Sequence, residues 1–213
     1  MTDSYKTHKL TLYYGKVNPL TWIRNLNKIH ITAFNTGGSM NNNRKLTLAA
    51  MFLAIGQVLP FITGQIPQIG VMLSPMHFPI LLCGMACGWQ YGGLVGFICP
   101  LLRSVLFGMP RMYPNAVGMA FELCTYGIVS GWMLSKFQEK SIKNIYISLI
   151  TAMICGRIVW GIAQTVMLSG TDSPFTFQAF LAGGFLNAIP GIIAQLVLIP
   201  LIMRALINAK LVK

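Results

Sequence analysis

The chain has 213 residues, 54% of them hydrophobic and 9% charged, with a mean hydropathy of +0.63. A soluble domain carries about 25% charged residues, so this composition cannot cover a globule with polar surface and specifies an integral membrane protein. Against 4 Asp and Glu stand 16 Lys and Arg, a net charge of +12; they concentrate in the tail and loops, where a positive-inside bias explains them better than nucleic acid does.

Residues 1–45 differ from the rest, with Lys6, Lys9, Lys16, Arg24, Lys28, Arg44 and Lys45 among many Asn and Thr. No apolar stretch of signal-peptide length follows a basic start, so the segment reads as a basic, polar and disordered cytoplasmic tail. The alternative is translation from Met40, since MNNNRKLTLAA is a plausible membrane-protein start.

The membrane domain, 46–206, divides into six apolar segments at about 46–62, 74–89, 91–108, 114–135, 143–168 and 178–204. A spanning helix needs roughly 20 residues. The second and third are short and nearly meet at GWQYGG, which predicts a tight helical hairpin. The expected fold is therefore all-α, with six transmembrane helices and both termini on one side. Arg44 and Lys45 precede the first segment. Lys136, Lys140 and Lys143 separate the fourth from the fifth, and Arg204, Lys210 and Lys213 lie at the end, the last two in a short basic tail, 207–213. The opposite connections hold only Arg111 and Asp172. That bias places both termini in the cytoplasm.

Two opposite-side connections stand out. Residues 63–77, TGQIPQIGVMLSPMH, are apolar, turn-rich and too long for a plain hairpin, which suits a lid. Residues 169–175, SGTDSPF, have turn chemistry.

No phosphate-binding GxxxxGK[ST], no HExxH and no GxSxG occurs. The spans hold one carboxylate, Glu122, so no paired-carboxylate catalytic site can form there. His77 is the only histidine after residue 30, and nothing marks Cys99 as an activated thiolate beside it. Cys83 and Cys87 share a helical spacing but lack the further ligands of a zinc site, so they read as packing residues. The chain is expected to be no enzyme, with no catalytic residues, no metal and no cofactor of its own.

Ionisable groups inside spans are functional-site hypotheses by default, and there are three: Arg103, Glu122 and Arg157. Helix rise puts Arg103 roughly 8 Å below the outer end of its span, Glu122 roughly 12 Å inward and Arg157 roughly 21 Å up from the inner face. All three fall in the middle to outer bilayer, where they could share a cavity. One carboxylate cannot neutralise two guanidiniums, so two inward arginines would leave about one positive charge for an anionic ligand. The opposing reading is an internal Glu122–Arg ion pair, with Arg103 snorkelling to the interface. Gln68, His77, Asn115, Tyr126, Gln164 and Asn187 are uncharged polar groups at the same level, and Trp160 lies near Arg157 and Gln164 on its helix. Together they would make a mostly apolar pocket with a few placed polar groups; each alone is equally well an interhelical hydrogen bond.

In LTLAAMFLA, Ala50 and Ala54 form AxxxA with Ala49 beside them, a pattern that admits a close helix, internal or on a partner. Gly84, Gly88, Gly92 and Gly96 continue such a series. KLTLAAMFLA, ITGQIPQIG, PMHFPILLCGMACGWQYGGLVGF, PLLRSVLFGMP and YPNAVGMAFELCTYG, taken together over about 40–206, resemble the substrate-binding S components of energy-coupling factor (ECF) vitamin transporters. The resemblance implies a multi-pass cell-membrane protein that captures a vitamin or similar small molecule from outside. Two ATPase subunits and a transmembrane coupling protein would supply energy, so ATP is used by partners. It maps the coupling-protein interface onto Ala50 and Ala54, with Ala49 adjoining, and the substrate lid onto 63–77. PMH, LLRS, YP and AFE look most like the pantothenate-type subgroup, and a carboxylate vitamin agrees with Arg103. The 45-residue tail departs from that family's short N-terminus. The competing class is a stand-alone small secondary transporter or channel.

Overall fold

The computed structural model describes residues 41–63, 74–138, 141–169, 176–209 and 212. The tail up to residue 40, most of the 63–77 connection including Gln68, and the 170–175 connection lie outside the described residues.

Among the described residues the regular structure is helical. The elements are α1 (Asn42–Thr63), α2 (His77–Cys87), α3 (Trp89–Phe107), α4 (Val117–Lys136), α5 (Ile142–Leu168), α6 (Phe177–Leu181) and α7 (Ile189–Asn208). A π-helical turn, Met112–Ala116, leads into α4, and another, Ala182–Leu186, follows α6. Five helices are long and apolar enough to cross a membrane: α1, α3, α4 with its leading turn, α5 and α7.

The two departures from the expected segments have local causes. The second segment shrinks to the 11 residues of α2, about 16 Å of helix against a core of about 30 Å. Ser74 takes a left-handed φ of 45°, Pro75 follows, and the helix starts only after them. The last segment breaks in two: Gly183 and Gly184 occupy the π turn, Asn187 and Ala188 a turn, and Pro190 opens α7, where its missing N–H costs nothing. At the other end α1 starts at Asn42 and takes Arg44 and Lys45 into its first turns.

Neighbouring helices alternate in direction. Gln57 meets Cys99 and Phe61 meets Phe107, so α1 and α3 run parallel. Gly92 packs on Gly127 and Gly96 on Leu123, so α3 and α4 run antiparallel. His77 meets Glu122 and Gly84 meets Gly127, so α2 runs parallel to α4. Gly118 touches Gln164, Glu122 touches Arg157 and Tyr126 touches Gly156, which sets α4 and α5 antiparallel. The reversal between α2 and α3 is one residue, Gly88, at φ 105°, a conformation open to glycine at little cost.

α2 is the centre of the helical unit Asn41–Lys213. All 11 of its residues are buried, which explains its apolar character all round. The spanning helices turn large apolar side chains outward, among them Ile158, Ile162 and Val166 on α5, as lipid requires. The α2–α3–α4 contact is made by glycine: a Cβ on Gly92 would lie 2.5 Å from Gly84 Cα and 2.8 Å from the Gly127 carbonyl oxygen. Neither atom is a flexible side-chain end, so the helices themselves would have to separate. Gly92→Ala is expected to cost about 1–3 kcal/mol, read as a lower thermal midpoint in detergent; an unchanged midpoint would refute backbone-to-backbone packing there.

Candidate functional site: a buried ionic cluster at the start of the short helix

Glu122 lies five residues into α4, and its Oε1 collects three neighbours. Arg157 Nη1 from α5 is 3.1 Å away and His77 Nε2 from α2 is 3.5 Å away. The Tyr126 hydroxyl, one turn on along α4, donates to the same oxygen at 3.0 Å. The residues are 2% (Glu122), 8% (Arg157), 3% (His77) and 0% (Tyr126) exposed. An ionised carboxylate at that depth needs a cation and hydrogen-bond donors together, and the cluster supplies both.

The local sequence places each member. Gly156 leaves room for the Tyr126 ring, since a Cβ there would fall inside contact distance of it; the ring is thereby held one turn below Glu122. Arg157 is the next residue on α5. His77 is set by the turn before α2: the Ser74 carbonyl faces both the His77 backbone N–H and its Nδ1, each at 3.1 Å. The rings of His77 and Tyr126 stand 5.2 Å apart.

The other expected site residues are distributed around this cluster. Gln164 is buried on α5, two turns beyond Arg157, against Gly118. Trp160 is half-buried, stacked on Phe180 at 6.2 Å and close to Gly183. Asn115 and Asn187 are exposed in the turns before α4 and α7. Gln68 lies outside the described residues.

Arg103 takes different partners from those of Glu122. Its Nη1 donates to the Gln57 carbonyl on α1 at 2.7 Å. Its guanidinium lies 4.7 Å from the Phe61 ring and 5.4 Å from the Phe107 ring, which contact each other edge-on. Among the described residues the two arginines do not converge on the carboxylate, and Arg103 braces the end of α1 against the end of α3. Arg103→Ala is therefore expected to weaken binding of a carboxylate ligand and of its neutral analogue by the same factor, by calorimetry; a loss confined to the carboxylate would make Arg103 a ligand contact.

On α1, Ala50 and Ala54 are exposed, whereas Ala49 is buried in the core at 4% exposure. Adjacent helical residues point about 100° apart, so Ala49 turns into the core while Ala50 turns outward.

Sequence reasoning passed over Gln57, whose Nε2 donates to the Cys99 carbonyl at 2.9 Å, and Gln195, buried in α7. Each interrupts an apolar run, the same signal that marked Glu122. An apolar groove of about 500 Å³ lies between α5 and α6, lined by Ile158, Ile162 and Phe177 among others. No member of the ionic cluster lines it.

Helices of membrane-spanning length around a buried ion cluster, with outward apolar faces, define a multi-pass membrane protein with an internal polar site. Residues 44–209 match the family of ECF transporter substrate-specific components, and the chain belongs to that family. No curated protein and no solved structure matches it. The family is one of transporter components that bind substrate, not of enzymes.

Proposed function

We propose that this chain is the S component of an ECF-type importer in the cell membrane. It captures a carboxylate vitamin, with pantothenate the best candidate, from outside. A transmembrane coupling protein and two ATPase subunits then drive delivery inward. The observation that carries the reading is the His77–Glu122–Arg157 cluster. It holds the buried charges of the described core, Glu122 and Arg157, and it sits where the long connection after α1 enters α2. The binding site we assign comprises His77, Glu122 and Arg157, with Trp160 and Gln164 above them on α5. Asn115 and Asn187 are assigned to its outer rim, Gln68 is included on the sequence alone, and Arg103 on α3 supports it by holding α1 through the Gln57 carbonyl.

The chain crosses the membrane six times in this reading. α2, although short, runs in the direction that a crossing between α1 and α3 requires. Arg44 and Lys45 at the start of α1, Lys136 at the end of α4, Lys143 at the start of α5 and Arg204 near the end of α7 then face the cytoplasm, as does each terminus. Mass spectrometry of the small molecule that copurifies with the protein tests the substrate. A carboxylate vitamin is expected; a cationic solute would contradict the reading.

A further inference from the structure

Among the described residues α7 packs on α2 and α5, the helices that carry His77 and Arg157. Its buried stripe runs through Gly191, Gln195, Ile199 and Met203, one turn apart, so this face meets those two helices. Gln195 is the polar member of the stripe, at 1% exposure. It stands six residues into α7, as Glu122 stands five residues into α4. Helix rise puts them about 9 Å and about 8 Å from the starts of their helices, and both helices enter from the outer side in the six-span topology. Gln195 therefore reaches the α2–α5 junction at the depth of the ionic cluster. A glutamine amide has two N–H groups to donate and one oxygen to accept. Among the described residues the Gln195 side chain has no hydrogen-bond partner, and neither has that of Gln164, 4% exposed on α5. On α2, His77 Nε2 is likewise buried without one. Folded proteins pair nearly all buried polar atoms, and each exception calls for a functional account.

We infer that Gln195 is a substrate-binding residue whose amide engages an uncharged hydroxyl or amide group of the substrate, beside the ionic cluster. The inference rests on the binding function proposed above and narrows its substrate class. A carboxylate only accepts hydrogen bonds, so it would leave the Gln195 oxygen unpaired. A hydroxyl or an amide both donates and accepts. Its N–H or O–H meets Oε1 and its oxygen meets Nε2, so one group of that kind pairs both ends of the glutamine. The substrate is then a carboxylate that carries such a group elsewhere in the molecule. Pantothenate, with its hydroxyls and amide, fits this rule, and so does biotin, with its ureido ring. Lipoate, a carboxylate whose remainder is apolar, does not. A site that holds a polar substrate group rejects an analogue lacking it, because the site's own polar atoms then stay unpaired. Gln195 thus sets the choice among carboxylate vitamins from α7.

Gln195→Met keeps the length of the side chain and removes both hydrogen-bonding ends. Calorimetry of the full-length protein in detergent, with pantothenate, biotin and lipoate as probes, reads the ligand side. Wild type is expected to bind pantothenate or biotin more tightly than lipoate. Gln195→Met should bind that preferred vitamin about tenfold or more weakly and leave lipoate affinity level. The thermal midpoint without ligand reads the other side. With no hydrogen bond to lose and a buried polar group removed, Gln195→Met should match or exceed wild type, whereas loss of a structural amide would lower the midpoint. A lower midpoint, or unchanged affinity for the preferred vitamin, overturns the inference. Tighter binding of lipoate by wild type also overturns it; the carboxylate-vitamin reading then stands and only the role of Gln195 falls. If wild type binds none of the three, the carboxylate-vitamin reading itself falls, and the inference falls with it.

Discussion

Glu122→Ala is expected to destabilise the protein by about 3–5 kcal/mol and to abolish ligand binding. The reason is the company the carboxylate keeps. Arg157 is 8% exposed and 3.1 Å from Oε1, and its charge is permanent. Removing Glu122 leaves that guanidinium buried without a counter-charge and takes the acceptor from Tyr126 and His77. The double variant Glu122→Leu/Arg157→Leu separates charge from packing. Replacing a buried ion pair by apolar side chains is often neutral or stabilising, so the double variant should recover much of the stability while remaining unable to bind. Thermal midpoints in detergent check the first part and calorimetry the second. A double variant as unstable as the single one would show that the cluster is held by shape and not by charge balance.

Ala50→Trp and Ala54→Trp are expected to leave folding and ligand binding near wild type and to abolish uptake by the assembled transporter. Both residues are exposed on α1, in the stripe that includes Met51 and Val58. An indole there meets lipid in the isolated chain and a steric block against a close-packed partner helix. Ala49→Trp supplies the contrast: at 4% exposure the same substitution drives an indole into the core, and protein yield should collapse. Normal uptake by both exposed variants would remove α1 as the coupling surface.

The helices were legible in the sequence because their apolar runs are bounded by glycine, proline or lysine. Glu122 and Arg157 were legible because charge inside such a run is rare and helix rise places both at one depth. Rise gives height, not azimuth, and the direction in which Arg103 turns was not legible. It lies one turn after Cys99, whose carbonyl meets Gln57 on α1, so it faces α1 while Gly92 and Gly96 face α4. Which face of α3 meets which helix is decided by the glycine contacts among α2, α3 and α4, and a single span read alone does not contain that information. Ala49 shows the same limit, as AxxxA marks a close approach but not which neighbouring alanine turns inward. That α2 would be shorter still than the expected segment 74–89 was hidden because the buried residues before it, Pro75 and Met76, are as compatible with an apolar span as those within it.

The most direct test of the account is uptake by reconstituted liposomes, with radiolabelled pantothenate as the first probe and the copurified vitamin as the second. The account predicts accumulation only when the coupling protein, both ATPase subunits and ATP accompany this chain. Uptake by the chain alone, without ATP, would contradict it.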